Sequence, residues 1–87
     1  MDIDEALKEL ESETNIRFVR LLKIVEQFFG KPRNRGTSHY PFKTPWQGKP
    51  RINLQQGKGG KAKPYQVKQV KKALMKLQEI QANQDNE

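Results

Sequence analysis

His39-Tyr40-Pro41-Phe42-Lys43-Thr44 and Arg51-Ile52-Asn53-Leu54-Gln55 each alternate two kinds of residue, and Pro45-Trp46-Gln47-Gly48-Lys49-Pro50 lies between them. Alternation with a period of two is the mark of a strand with one buried face. In the first run Tyr40, Phe42 and Thr44 share a face, and His39, Pro41 and Lys43 take the other. In the second run Ile52 and Leu54 share the apolar face. The Pro- and Gly-rich connection reads as a loop. Pro41 has no N–H to give a ladder, so a bulge is expected there, or a strand shorter than the pattern suggests. Upstream, Arg33-Asn34-Arg35 before the Gly36 turn is a third strand candidate, supported by position more than composition. The three runs read as a short antiparallel meander.

Helical periodicity lies on both sides. From about Ile16 to Phe29, the residues Phe18, Leu21, Leu22, Val25, Phe28 and Phe29 line one side. Thr14-Asn15 is the expected cap, Gly30 is placed to end the helix, and Pro32 prevents its continuation. After the meander, Gln56 to Lys63 reads as a flexible basic loop containing Gly57, Gly59 and Gly60. Pro64 then opens a last helix with Val67, Val70, Leu74 and Leu77 on one face, joined by Ala73. At the start of the chain, Asp2 to about Ser12 reads as a short helix with Ile3, Leu7 and Leu10 as a narrow apolar stripe. Residues 1–14 are therefore expected to form an acidic arm, solvated or lightly docked. Residues 15–81 form the domain, and 82–87 a disordered tail. Helix, helix, three strands and helix give an α+β fold: two helices on one face of a three-stranded antiparallel sheet, with an extra N-terminal helix.

Composition narrows the chemistry. The chain has 87 residues, 33% hydrophobic, which suffices for one small domain. It has no Cys and one His, which excludes disulfides, thiolate zinc sites, a cysteine nucleophile and a multi-histidine metal site. Aliphatic and aromatic residues run no longer than pairs, such as Leu21-Leu22. No membrane span and no signal-peptide core are expected, and a cytoplasmic location is. The charge is +7 overall but unevenly spread. Residues 31–76 carry thirteen Lys and Arg with no Asp or Glu. Such a field attracts polyanions, and nucleic acid is the expected partner.

Within the basic half, Gly57-Lys58-Gly59-Gly60-Lys61 fails as a phosphate loop, because no Ser or Thr follows the lysine. Lys61 and Lys63, just before a helix N-terminus, can still grip a backbone phosphate. Tyr40, Phe42, Trp46 and Tyr65 lie among the cations, where aromatic rings can stack unpaired bases. Tyr40 and Phe42 are assigned to the core face of the sheet. Trp46 stays open between anchoring its loop and touching a base or partner. His39 follows Arg35-Gly36-Thr37-Ser38 and starts a strand beside cations. A neutral imidazole there can take the proton of a ribose 2′-OH, so that the oxygen attacks the adjacent phosphate without a metal. With no second His, the general acid would be Lys43, Tyr40 or water. Paired carboxylates are missing from this half, which argues against two-metal nuclease chemistry.

Four stretches in order carry a resemblance. They are Arg17-Phe18-Val19-Arg20-Leu21-Leu22-Lys23-Ile24-Val25-Glu26, Arg35-Gly36-Thr37-Ser38-His39-Tyr40-Pro41-Phe42-Lys43, Lys49-Pro50-Arg51-Ile52-Asn53-Leu54-Gln55, and Lys61-Ala62-Lys63-Pro64-Tyr65-Gln66-Val67-Lys68-Gln69-Val70. Over roughly residues 16–78 the chain resembles the HicA toxins. It differs in Thr37, which separates Gly36 from Ser38, and in Pro41. The resemblance implies a double-stranded-RNA-binding-domain-like α-β-β-β-α fold. It also implies the toxin of a toxin–antitoxin system, an mRNA endoribonuclease neutralised by a HicB-type antitoxin. On that reading His39 is the catalytic base. Arg35, Lys43 and Arg51 contact nearby phosphates, and Lys61, Lys63 and Lys68 extend a single-stranded RNA track. No metal or cofactor takes part, and a monomer is favoured for the free protein. The alternative is a non-catalytic RNA-binding module of the same fold. A third reading is an interaction protein whose basic face meets an acidic partner.

Overall fold

The computed structural model describes residues 1–33 and 38–85. In it, α1 (Ile3–Glu9) and α2 (Phe18–Phe29) precede the strands β1 (His39–Phe42) and β2 (Ile52–Gln55). A 3-10 turn (Lys58–Gly60) and the long helix α3 (Pro64–Asp85) follow. The class is α+β: three α-helices with a two-stranded antiparallel sheet among the described residues. Of the expected first strand, Asn34 and Arg35 lie outside the described residues.

Seven residues are too few for a helix that stands alone in water. α1 forms because both its start and one face are held. The Asp2 carboxylate accepts from the Glu5 N–H at 2.8 Å, which satisfies one of the unpaired N-terminal donors. Ile3, Ala6 and the following Leu10 are buried in the common core, and α1 packs on α3. Gln78 donates to Asp4 at 2.7 Å, and Lys71 donates to Glu13 at 3.4 Å. Of the expected alternatives, a solvated or a lightly docked arm, the described residues show a docked one. The narrow stripe is enough to bury Ile3, Ala6 and Leu10.

α2 starts at Phe18 rather than at Ile16, and Thr14-Asn15 does not cap it. Arg17 stays extended, bridges to Lys61, and takes the N-cap position with no side-chain bond. The Ile16 carbonyl accepts from the Ala62 N–H at 2.7 Å. The backbone here serves a pairing with the loop before α3 instead of a helical turn. Phe18, Leu21, Ile24 and Val25 are buried, and Leu22, Phe28 and Phe29 pack partly against them. Gly30 ends the helix at φ 84°, with its N–H on the Glu26 carbonyl at 2.9 Å.

The strands pair without a bulge: His39 with Gln55, Tyr40 with Leu54, Pro41 with Asn53, and Phe42 with Ile52. β1 stops at Phe42, two residues short of the alternating pattern. Pro41 costs this ladder nothing, because its polar group faces the other edge. Its carbonyl accepts from the Arg33 N–H at 2.8 Å, and Arg33 is not part of β2. Phe42, Ile52 and Leu54 are buried on the core face, where Tyr40 meets Phe18 at 5.6 Å between ring centroids.

Gln56 to Lys63 is a hydrogen-bonded turn rather than a loose connector. The Gly57 N–H donates to the Lys61 carbonyl at 3.0 Å, and Gln56 bridges Ala62. A Cβ on Gly57 would stand 2.7 Å from that carbonyl oxygen, so only glycine fits. Beyond Pro64, α3 buries Val67, Val70, Ala73, Leu74 and Leu77. It continues through 82–85, which the sequence reads as a tail. α3 runs alongside β2 in the opposite sense. Gln66 lies at Gln55, Gln69 and Lys72 lie at Pro50-Arg51, and Lys76 lies over Trp46.

Candidate nucleic-acid interface

The face of the sheet away from the core carries His39, Pro41, Asn53 and Gln55, the other parity of the register that buries Phe42, Ile52 and Leu54. His39 and Gln55 are direct cross-strand partners, so their side chains stand side by side. The Gln55 side-chain oxygen accepts from the Lys63 ammonium at 3.1 Å. Lys63 therefore belongs to the His39 end of the hairpin. It sits immediately before α3, where its carbonyl accepts from the Val67 N–H at 3.1 Å. A lysine at a helix N-terminus opposes the helix dipole, so helix stability does not account for it. Gln55 gives it a polar partner instead.

The seat of Gln55 is itself built. Its backbone N–H points off the free edge of β2 and donates to Gln66 Oε1 at 3.0 Å. Gln66 is 3% exposed, and its Nε2 lies 3.3 Å from the Tyr65 hydroxyl. Gln66 was not singled out from sequence. A glutamine among the apolar positions of α3 is the only signal it leaves.

At the other end of the hairpin lies a groove of about 660 Å³, walled by Arg33, Arg51, Asn53 and the Trp46 loop. Its lining holds two guanidinium groups and no carboxylate. Trp46 is an anchor. Its Nε1 donates to the Pro50 carbonyl at 2.9 Å, and its ring meets Phe29 edge-on at 5.9 Å. Thr44 closes the loop by donating to the Trp46 carbonyl at 3.1 Å, and the Lys49–Pro50 peptide is cis.

The expected site residues divide accordingly. His39 and Lys63 each neighbour Gln55 at the open end of the hairpin. Arg51 enters the loop-end groove, with Lys43 exposed just beyond β1. Lys68 is exposed on α3. Lys61 is turned aside: its backbone pairs with Arg17, and its ammonium lies 3.5 Å from the Asn15 side-chain oxygen. Arg35 lies outside the described residues. Tyr40 packs on Phe18 from the core face, away from His39, and so drops out as a general acid.

Acids scarcely enter this surface. Among the described residues the ion pairs are Arg20–Glu9, Lys31–Glu26 and Lys71–Glu13. No group of three His, Cys, Asp or Glu able to hold a metal occurs among the described residues. Nor is any described helix long and apolar enough to cross a membrane. No protein-family model, curated protein or solved structure matches the chain.

Proposed function

We propose that the protein is a metal-independent endoribonuclease of the HicA toxin type, which cleaves mRNA and is neutralised by a HicB-type antitoxin. The observation that carries this reading is the pairing of His39 with Gln55 and of Gln55 with Lys63, within a segment, residues 31–76, that carries thirteen Lys and Arg and no Asp or Glu. His39 takes the proton of a ribose 2′-OH. The freed oxygen forms a bond to phosphorus, and the bond from phosphorus to the 5′ oxygen breaks. The leaving oxygen takes a proton from water or from Lys63, giving a 2′,3′-cyclic phosphate and a 5′-hydroxyl. The Lys63 ammonium offsets charge that builds on the phosphoryl oxygens. Arg51 and Lys68 hold the flanking strand. A cytoplasmic location and a double-stranded-RNA-binding-domain-like α-β-β-β-α fold belong to the same proposal.

The test is cleavage of labelled single-stranded RNA in EDTA by wild type and His39→Ala in parallel. Cleavage by wild type alone, with 2′,3′-cyclic phosphate ends, is the expected result. Equal cleavage by both proteins overturns the role of His39. Intact RNA binding with no cleavage by either leaves the non-catalytic RNA-binding module as the function.

A further inference from the structure

The thirteen cations of residues 31–76 are not equivalent, and their differences mark a path. On α3, Lys71 is paired with Glu13 at 3.4 Å, and Lys76 lies 5.3 Å over the Trp46 ring. Lys68 and Lys72, one helical turn apart, are exposed and make no ion pair among the described residues. Facing Lys72 across the seam between β2 and α3 are Lys49 and Arg51. With Pro50 and Gln69 they enclose a groove of about 450 Å³. Three of the five residues lining it are cations, and none is an acid. Arg51 also lines the larger groove at the loop end, so the two grooves meet at its side chain.

We infer that this seam is a second phosphate-binding subsite, formed by Lys49, Arg51 and Lys72, which grips the backbone of single-stranded RNA at a distance from His39. It rests on the RNA reading above and extends it to Lys49 and Lys72. Lys63, at one end of the seam, marks the His39 end. Lys68 lies between, and the three-cation groove is the far anchor. The track stops about two turns further along α3, where Glu79 joins Lys72 and Lys76 in lining the surface and repels phosphate. A chain held at both ends presents the phosphate beside His39 in a fixed register. Binding energy is then drawn from a part of the RNA that does not react.

The experiment measures binding of oligouridine to the full-length protein across a salt series. It compares wild type with Lys49→Gln/Lys72→Gln and with Lys71→Gln. Each single-strand phosphate contact contributes about 0.7 to the slope of log affinity against log salt. The double variant should therefore lose about 1.4 from the slope. Between about 50 and 200 mM salt its affinity should fall about sevenfold less than that of wild type. Lys71→Gln, already neutralised by Glu13, should change the slope by less than half as much. Unchanged thermal melting checks that each variant is folded. Wild-type binding with a salt slope that the double variant retains overturns the subsite and leaves the RNA reading standing. A wild type that does not bind oligouridine overturns both. Loss of cleavage in His39→Ala with this slope intact separates the two ends of the track.

Discussion

The two faces of the hairpin are built from the same eight strand residues and do opposite work. Toward the helices, Phe42, Ile52 and Leu54 are buried and Tyr40 meets Phe18. Away from them, His39, Pro41, Asn53 and Gln55 take the intervening positions. Apolar burial is spent on one parity, and the side chains of the other parity stay outside the core. Stability and function should therefore separate along each strand, one residue apart. Leu54 is completely buried, so Leu54→Ala should cost about 2–5 kcal/mol of unfolding free energy in a denaturant titration. His39→Ala, at an exposed position one register step from the Tyr40–Leu54 pair, should cost clearly less. Equal losses from the two variants would break the division between the faces.

A sharper test lies where the hairpin hands over to α3. Gly57 has an ordinary negative φ of −89°, so its requirement for glycine is one of space alone. A methyl group there meets a backbone oxygen at 2.7 Å, and a backbone atom cannot swing aside as a long side chain can. Gly57→Ala should cost about 1–3 kcal/mol, the range for overpacking, measured as a drop in the denaturation midpoint at constant m value. Gln66→Met should cost about as much by a different route. It keeps the volume but leaves the Gln55 N–H at the free edge of β2 without its acceptor, a loss of about 1–3 kcal/mol. Hydrogen exchange at the Gln55 amide distinguishes the two, because only Gln66→Met removes its partner directly.

How far this could be read from sequence follows the range of each interaction. The strand parity, the face of α3 and the Gly30 stop are properties of neighbouring residues, and all three stand in the structure. The docking of α1, the late start of α2 and the seat of Gln66 depend on partners far along the chain. Ile16 answers to Ala62, Glu13 to Lys71, and Asp4 to Gln78, and no local pattern announces such pairs. The same holds at the site. His39 stood out as the sole histidine among cations, and Lys63 as one of many lysines. Their association through Gln55 depends on a register that spacing alone leaves open. Lys61 shows the converse. Its position before α3 suggested a phosphate contact, yet its backbone is committed to Arg17 and its ammonium to Asn15.

The smallest effect expected concerns the half of the molecule that carries the acids. Arg20 on α2 grips Glu9 at the end of α1 through two bonds, Nε to Oε2 at 2.5 Å and Nη2 to Oε1 at 2.8 Å. The hydrogen bonds from Arg20 hold the Glu9 carboxyl below its ordinary value of 4.5, against a smaller opposing effect of burial. A carboxyl whose value is lower in the folded chain than in the unfolded one stabilises the fold above its unfolded value. That contribution fades as pH falls through the folded value. Wild type should therefore exceed Glu9→Gln in melting temperature at neutral pH, and the gap should close as the medium is acidified below about 4.5. Both side chains are substantially solvated, at 46% and 34% exposure, so the gap should be small and should shrink further in high salt. A gap that widened in acid would mean that Arg20 does not hold α1 to α2. The buried Ile3, Ala6 and Leu10 would then keep the acidic helix in place unaided.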